Sequence, residues 1–132
     1  MKSTLFRYFS VVLLALLLPQ LANAADVVVI SHPGTTLSAG DVKDVFLGEK
    51  QFAGSIKLIP VDNVSLQSNF LSKIMNMTGD KYTSLWTKKS FRDGLTPPAM
   101  KSSDAEVIEY VKRTPGAVGY VSSAPSGVNV AK

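Results

Sequence analysis

The amino-acid sequence predicts an α/β fold, a single three-layer lobe in which helices flank a mostly parallel sheet. Two observations predict it. Strand-like and helix-like segments occur in the order strand, helix, strand, three helices and strand, so that helical crossovers separate the strands. The first strand, Asp26 to Ser31, is a nearly continuous β-branched run rather than an alternating one. Such runs are typical of strands that are buried on both faces of a parallel sheet.

The first 24 residues have the pattern of a secretory signal peptide. Lys2 and Arg7 precede a short apolar run, and an Ala-x-Ala cleavage pattern ends at Ala24. The apolar run is short for a membrane span, although an uncleaved membrane anchor is the alternative. We therefore expect residues 25–132 to form one periplasmic domain that is not embedded in the membrane after cleavage.

Composition narrows the class of protein further. The sequence contains no cysteine, which excludes disulfides and also excludes lipid attachment through an N-terminal cysteine. The net charge is +4, but two of the basic residues belong to the predicted signal peptide. No dense Lys/Arg stripe with interleaved aromatic residues is present, so we expect no binding to nucleic acid.

Each predicted helix after the first strand has recognisable ends. The first helix begins at Ser38, which forms a capping box with Asp41, and it ends at Gly48. A second strand follows over Ile56 to Val61, and Pro60 places its end near an edge or a bend. Two further helices are predicted over 65–77 and 80–91, followed by a loop that contains two prolines.

A short segment with strong helix-terminating residues joins the last helix to the strand that follows it. Ser103 opens the helix with a second capping box, Pro115 ends it, and Gly116 reverses the chain. The strand that follows, Ala117 to Val121, contains Gly119, where we expect a helix to approach too closely for a larger side chain. A short final strand is predicted within 127–131.

His32 is the one histidine of the sequence, and it lies in the loop after the first strand. Loops at the carboxyl ends of parallel strands bind ligands in α/β folds, which makes His32 a candidate ligand contact. The alternative is a loop histidine that caps its own turn or faces water.

The segment Pro60 to Phe70 is the strongest candidate for a binding site, because it runs from the end of a strand into the start of a helix. Unpaired backbone N–H groups at a helix N-terminus attract anions. Asn63, Ser65, Gln67 and Ser68 supply side-chain donors to the same place. The alternative for Ser65 is that it only caps its own helix.

Catalytic and cofactor motifs are missing from the sequence. A hydrolytic triad needs a histidine beside a nucleophile and a carboxylate, and His32 is the one candidate, so an enzyme that uses His32 is the remaining alternative. A zinc set needs a second histidine or cysteine, and no Gly-rich phosphate motif is present. We therefore expect no enzymatic activity, no cofactor and no bound metal.

Several specific pieces occur in the sequence in a fixed order: Phe46-x-Gly48, then Trp86, Phe91, Gly94 and Pro97-Pro98, then Ser103–Glu106, then Thr114–Tyr120. Together they resemble the phosphate-binding-protein-like domain of periplasmic solute-binding proteins, which has the type II periplasmic-binding-protein fold seen in phosphate ABC transport. The similarity covers nearly all of residues 26–123. It implies a single-lobe, small member of this family, with phosphate or another small anion as ligand and a membrane transporter as a partner.

Two departures from the family's pattern predict weak binding. In the fuller members a Gly-Ser-Gly-Thr-Arg segment at a helix start contacts the anion, and the matching stretch here is Asn63–Ser68. Gln67 stands where that arginine would be, so the forked and permanently charged grip on an oxyanion is lost. The second lobe of those proteins has no counterpart in this sequence.

Two hypotheses for the function follow. In the first, the chain is a solute-binding-type protein that binds phosphate or another small anion weakly, at a mouth formed by the His32 loop and the Asn63–Ser68 helix start. In the second, the same fold carries no ligand and acts as an interaction module that binds another protein of the cell envelope.

Overall fold

The computed structural model describes residues 26–132, so the predicted signal peptide lies outside the described residues. None of the described helices is long and apolar enough to span a membrane. The strands are β1 (Val28–Ser31), β2 (Phe52–Ala53), β3 (Ile56–Lys57), β4 (Ile59–Asn63), β5 (Ala99–Lys101), β6 (Ala117–Val121) and β7 (Asn129–Val130). The helices are α1 (Val42–Phe46), α2 (Gln67–Phe70), α3 (Gly79–Asp93) and α4 (Asp104–Arg113). A 3₁₀ turn over Ala39–Asp41 precedes α1, and a π-helical turn over Leu71–Met75 continues α2.

The main sheet has five strands in the order β5-β4-β6-β1-β7. Strand β4 is parallel to both of its neighbours, β5 and β6, whereas β1 is antiparallel to β6 and β7. Four of the five strands therefore point the same way, which confirms the predicted mostly parallel α/β lobe. The parallel setting that was predicted for β1 is wrong. Its β-branched run predicted burial on both faces, which helices on both sides provide whatever the strand's direction.

The sequence patterns missed two short elements and merged two others. The predicted strand over 56–61 is divided into β3, which pairs with β2 in a small hairpin, and β4. The predicted loop with two prolines contains the edge strand β5. Pro60 lies in the central strand β4, but β5 begins opposite Val61, so no backbone partner is lost on that side of Pro60.

Helices cover both faces of the sheet and form the predicted three layers. On one face, α1, α2 and α3 pack on an aromatic cluster in which the rings of Phe70 and Tyr120 are stacked, with centroids 3.9 Å apart. On the other face, α4 packs its Val107 and Val111 against β4 and β6. A Cβ atom at Gly119 would lie 2.5 Å from Val107, so the predicted close approach of a helix at Gly119 is confirmed.

The helix ends follow the predicted signals closely. Ser103 accepts a hydrogen bond from the Glu106 amide, while the Glu106 carboxylate accepts one from the Ser102 amide. Gly48 has φ +73° directly after α1, as expected for a C-terminal glycine. The predicted second helix differs, because its first helical turn starts at Gln67 and its N-cap position is Leu66.

Candidate functional site

A compact group of polar side chains lies where β4 and β6 end and α4 begins. We call it the Asn63 corner, and it consists of Asn63, Ser65, Asp104 and Ser122. Asn63 is fully buried at its centre. Its Nδ2 atom donates to Asp104 Oδ1 over 2.7 Å and to the Tyr120 carbonyl over 3.0 Å. The amide of Asn63 therefore connects two strands to the first turn of α4.

Ser65 donates hydrogen bonds to the oxygen of the Asn63 side-chain amide. Its backbone N–H donates to Asn63 Oδ1 over 3.1 Å, and its hydroxyl donates to the same oxygen. This is an Asx-type turn, in which a side-chain oxygen organises the backbone two residues on. The Ser65 side chain makes no cap on α2, whose N-cap residue is Leu66. Ser65 thus belongs to the corner rather than to the helix start.

Asp104 occupies the position in which an anion would find these donors. Its Oδ2 atom accepts hydrogen bonds from the backbone N–H of Ser122, over 3.0 Å, and from the Ser122 hydroxyl. Partial burial opposes ionisation of Asp104, but hydrogen bonds from Ser122 and Asn63 outweigh it and hold the pKa of this carboxyl below its usual value. The corner therefore already holds one oxyanion, which belongs to the protein itself.

The remaining residues of the predicted anion segment lie away from these donors. Gln67 is half-buried, and its Nε2 atom contacts Met100 Sδ at 3.8 Å. Ser68 is exposed on α2. The structure therefore brings together Asn63 and Ser65, and it leaves Gln67 and Ser68 to one side.

His32 lies at the opposite end of the sheet. Because β1 runs against β6, Ser31 pairs with Val118, whose other neighbour is Pro60 at the start of β4. Asn63 lies at the far end of the same strand. The predicted mouth between His32 and Asn63 is therefore wrong, and the reason is the direction of β1. His32 is half-buried, and its Nδ1 atom accepts a hydrogen bond from the Gly34 amide over 3.1 Å.

Asp62, next to Asn63 in β4, is a buried carboxylate that the sequence analysis missed. Side chains alternate along a strand, so Asp62 points to the opposite face from Asn63. There it accepts hydrogen bonds from the hydroxyls of Tyr82 and Tyr120, both over 2.8 Å. Burial raises the pKa of Asp62, although the two tyrosine hydroxyls act in the other direction. A charged residue inside an apolar strand was the available signal.

The sequence analysis also missed Asp104 and Ser122 as members of the corner. Asp104 was noticed only as part of a capping box, and Ser122 follows a strand with no motif of its own. Asp104 contacts Asn63 across 41 positions of the chain, and Ser122 contacts Asp104 across 18 positions. Pairs so distant in sequence leave no local pattern.

The comparisons with known proteins support the fold. No protein-family model and no curated protein matches the chain. The crystal structure of PstS, a phosphate-binding protein, from Borrelia burgdorferi is similar, with a TM-score of 0.57 and 20% sequence identity. The match covers 80% of this chain but 46% of PstS, so the chain spans less than half the length of that protein. At this identity the likeness shows the fold alone.

Proposed function

We propose that this chain is an exported, single-lobe solute-binding-type protein and that its Asn63 corner binds phosphate or another small anion weakly. One observation carries the proposal. Donors from Asn63 and Ser122 converge on a single carboxylate, that of Asp104, so the corner has the geometry to hold an oxyanion. The fold shared with a phosphate-binding protein supports the same class of ligand.

Binding is expected to be weak for two reasons. An external anion competes with the Asp104 carboxylate, which is tethered next to the same donors and repels a second negative charge. A single lobe also buries less of a ligand than a closed cleft does. The match covers 46% of PstS, and the described residues of this chain form one lobe.

The predicted signal peptide over 1–24 supports a periplasmic location for residues 25–132. A membrane transporter or another envelope protein is the proposed partner, because it would supply the surface that a single lobe lacks. These assignments are tested by fractionation. Cleavage after Ala24 and recovery of the protein from the periplasm are expected, whereas recovery of the uncleaved chain from membranes would contradict them.

Calorimetric titration with phosphate and with sulfate tests the anion site. The wild-type protein is expected to bind only at millimolar concentrations, and Asp104→Ala should bind about tenfold more tightly, since a charge-assisted competitor is gone. Ser65→Ala should weaken binding by removing one hydroxyl from the corner. The matched control is Glu109→Ala, which removes one negative charge from the exposed side of the same helix.

An equal gain in Glu109→Ala would mean that overall charge, rather than the corner, governs the affinity. No heat from any anion in the wild type or in Asp104→Ala would overturn the proposal. Circular dichroism of each variant identifies one that has failed to fold.

A second function, an interaction module of the cell envelope, is favoured by a different observation. Phe91 on α3 is 94% exposed, and Met100 on the edge strand β5 is 50% exposed. Both line one groove between α3 and β5, together with Pro97 and Pro98. Exposed aromatic and methionine side chains beside a groove are typical of surfaces that bind another protein.

Capture experiments with envelope extract distinguish this second function. A partner that binds the wild type and Phe52→Ser, but not Phe91→Ser, would support it. Phe52 is a suitable control because it is also exposed, at 53%, and lies in the separate hairpin. If Phe91→Ser retains every captured protein, the groove is not the docking surface.

A further inference from the structure

A cavity lies at the other end of β4 from the Asn63 corner. It has a volume of about 510 Å³ and lies between the loop that joins α3 to β5, the segment that follows α1, and the start of β4. We call it the amino-end cavity. Its size falls within the range of about 300–1,000 Å³ that is usual for small-molecule sites.

The interior of this cavity is apolar and well fixed. Leu58 and Val61 are buried in its wall, and Leu95 and Pro97 close it from the α3–β5 loop. Trp86 forms another wall, and its indole N–H donates to the Phe46 carbonyl over 3.1 Å, which fixes the ring. A small, strongly hydrated anion such as phosphate would lose its water here without enough donors to replace it.

Positive charge surrounds this apolar interior. Lys50 and Lys57 line the cavity, and none of the described residues that line it is acidic. Tyr110 also lines it, and the ammonium group of Lys101 lies 4.4 Å from the centroid of that ring. Lys57 is exposed and Lys50 is half-buried, so both side chains can reach a ligand without leaving water.

The carboxylates that adjoin Lys50 and Tyr110 in sequence are paired with other cations, while Asp41 has a minor Coulombic interaction with Lys50. Glu49 pairs with Lys89 at 3.7 Å, and Glu109 pairs with Arg113 at 3.0 Å. The cavity therefore combines an apolar interior with two lysines and no acidic residue in its described lining. An occupant that complements both features has an apolar body and one negative group.

We propose that the amino-end cavity binds an organic anion with an apolar, preferably aromatic, body. The body would fill the space beside Trp86 and Leu95, and the anionic group would lie between Lys50 and Lys57. This second site is independent of the Asn63 corner, because the two lie at opposite ends of β4 and take different kinds of anion.

Titration with anilinonaphthalene sulfonate tests the proposal, with phenylnaphthylamine as the neutral probe of similar shape. One sulfonate is expected to bind per folded chain, with quenching of the single tryptophan, Trp86. The double variant Lys50→Gln/Lys57→Gln should weaken sulfonate binding by about fivefold and leave the neutral probe unchanged. The control Lys81→Gln/Lys88→Gln removes two exposed charges from α3 outside the cavity and should have no effect.

The NMR chemical shifts of the backbone amides show where the probe binds. The sulfonate should shift the amides of Gly48, Gly94 and Leu95, while those of Ser65 and Ser122 stay unchanged. Equal binding of the neutral probe, or sulfonate binding that is the same in both double variants, would overturn the proposal. Shifts at Ser122 in place of Gly94 would overturn it as well, and would leave the corner as the anion site.

Discussion

Charged side chains are arranged in opposite ways at the two ends of strand β4. At the carboxyl end, the donors of Asn63 and Ser122 meet a carboxylate of the protein itself, that of Asp104. At the amino end, Lys50 and Lys57 border a cavity whose described lining contains no carboxylate. A polar cluster that satisfies its own hydrogen bonds is therefore structural first, and positive charge beside an open space is the better guide to a ligand.

This comparison bears on where a ligand would be expected in a sheet of this kind. The carboxyl end of the parallel strands is where α/β sheets usually bind ligands. In this chain that end is held together by hydrogen bonds between α4, β4 and β6. An anion therefore has to compete with Asp104 there, whereas the amino end presents no such competitor.

The largest expected effect comes from Asn63→Asp, which breaks the corner. The new carboxylate would face that of Asp104, where an amide nitrogen now donates over 2.7 Å, and two like charges would share a buried site. We expect the free energy of unfolding to fall by about 3 kcal/mol at neutral pH. Urea unfolding measures this. The control, Asn69→Asp on α2, should change it by less than about 0.5 kcal/mol, and an equal loss in both variants would contradict the assigned role of Asn63.

An effect of similar size is expected at the amino end, from Gly116→Ala. Gly116 has φ +83°, and a Cβ atom there would lie 2.0 Å from the carbonyl oxygen of Lys57, in the wall of the cavity. Gly94 has φ +67° with open space around its Cβ position, so Gly94→Ala isolates the backbone strain. We expect a loss of about 1 kcal/mol for Gly94→Ala and about 3 kcal/mol for Gly116→Ala, measured by thermal unfolding. Equal losses would mean that contact with Lys57 is unimportant.

The smallest effect is a difference in pH dependence between two carboxylates on opposite faces of the sheet. The pKa of Asp62 is raised in the folded state, so its contribution to stability is present below its unfolded pKa of 3.8 and is lost as the pH rises through the folded value. The pKa of Asp104 is lowered, so its contribution is present above its unfolded pKa of 3.8 and is lost as the pH falls through the folded value.

Urea unfolding between pH 2 and pH 8 measures both slopes. The wild type should lose stability as the pH rises above the unfolded pKa of Asp62, and Asp62→Asn should not show this loss. The wild type should also lose stability as the pH falls below the unfolded pKa of Asp104, and Asp104→Asn should not show that loss. Changes of the same sign in both variants would contradict the assignment of one carboxylate to the tyrosines and the other to the corner.

The sequence predicted features of the fold that depend on local patterns. Glycine after α1, the cap at Ser103 and the approach of α4 to Gly119 each follow from neighbouring residues, and each is confirmed. The direction of β1 was not predictable in this way. A buried β-branched run specifies that both faces are covered, and the same run satisfies a parallel or an antiparallel neighbour.

The candidate site was only partly predictable for a related reason. Asn63 and Ser65 stand close together in sequence and were identified from the transition between strand and helix. Asp104 and Ser122 reach them through contacts across the sheet, and the paired strands bring them together. His32 was assigned to the same mouth because β1 was predicted to be parallel to its neighbours. Because the direction of one strand was predicted wrongly, one predicted ligand contact, His32, lies at the other end of the sheet from the rest of the predicted site.

We propose that Asp104 occupies an oxyanion site that an external anion could enter only by competition. Amide spectra recorded during a phosphate titration test it most directly, with wild type, Asp104→Ala and Glu109→Ala compared at constant ionic strength. We expect saturable shifts of the Ser65 and Ser122 amides in Asp104→Ala at much lower phosphate concentration than in the other two proteins. Identical responses in all three proteins, or no response at Ser122 in Asp104→Ala, would contradict it.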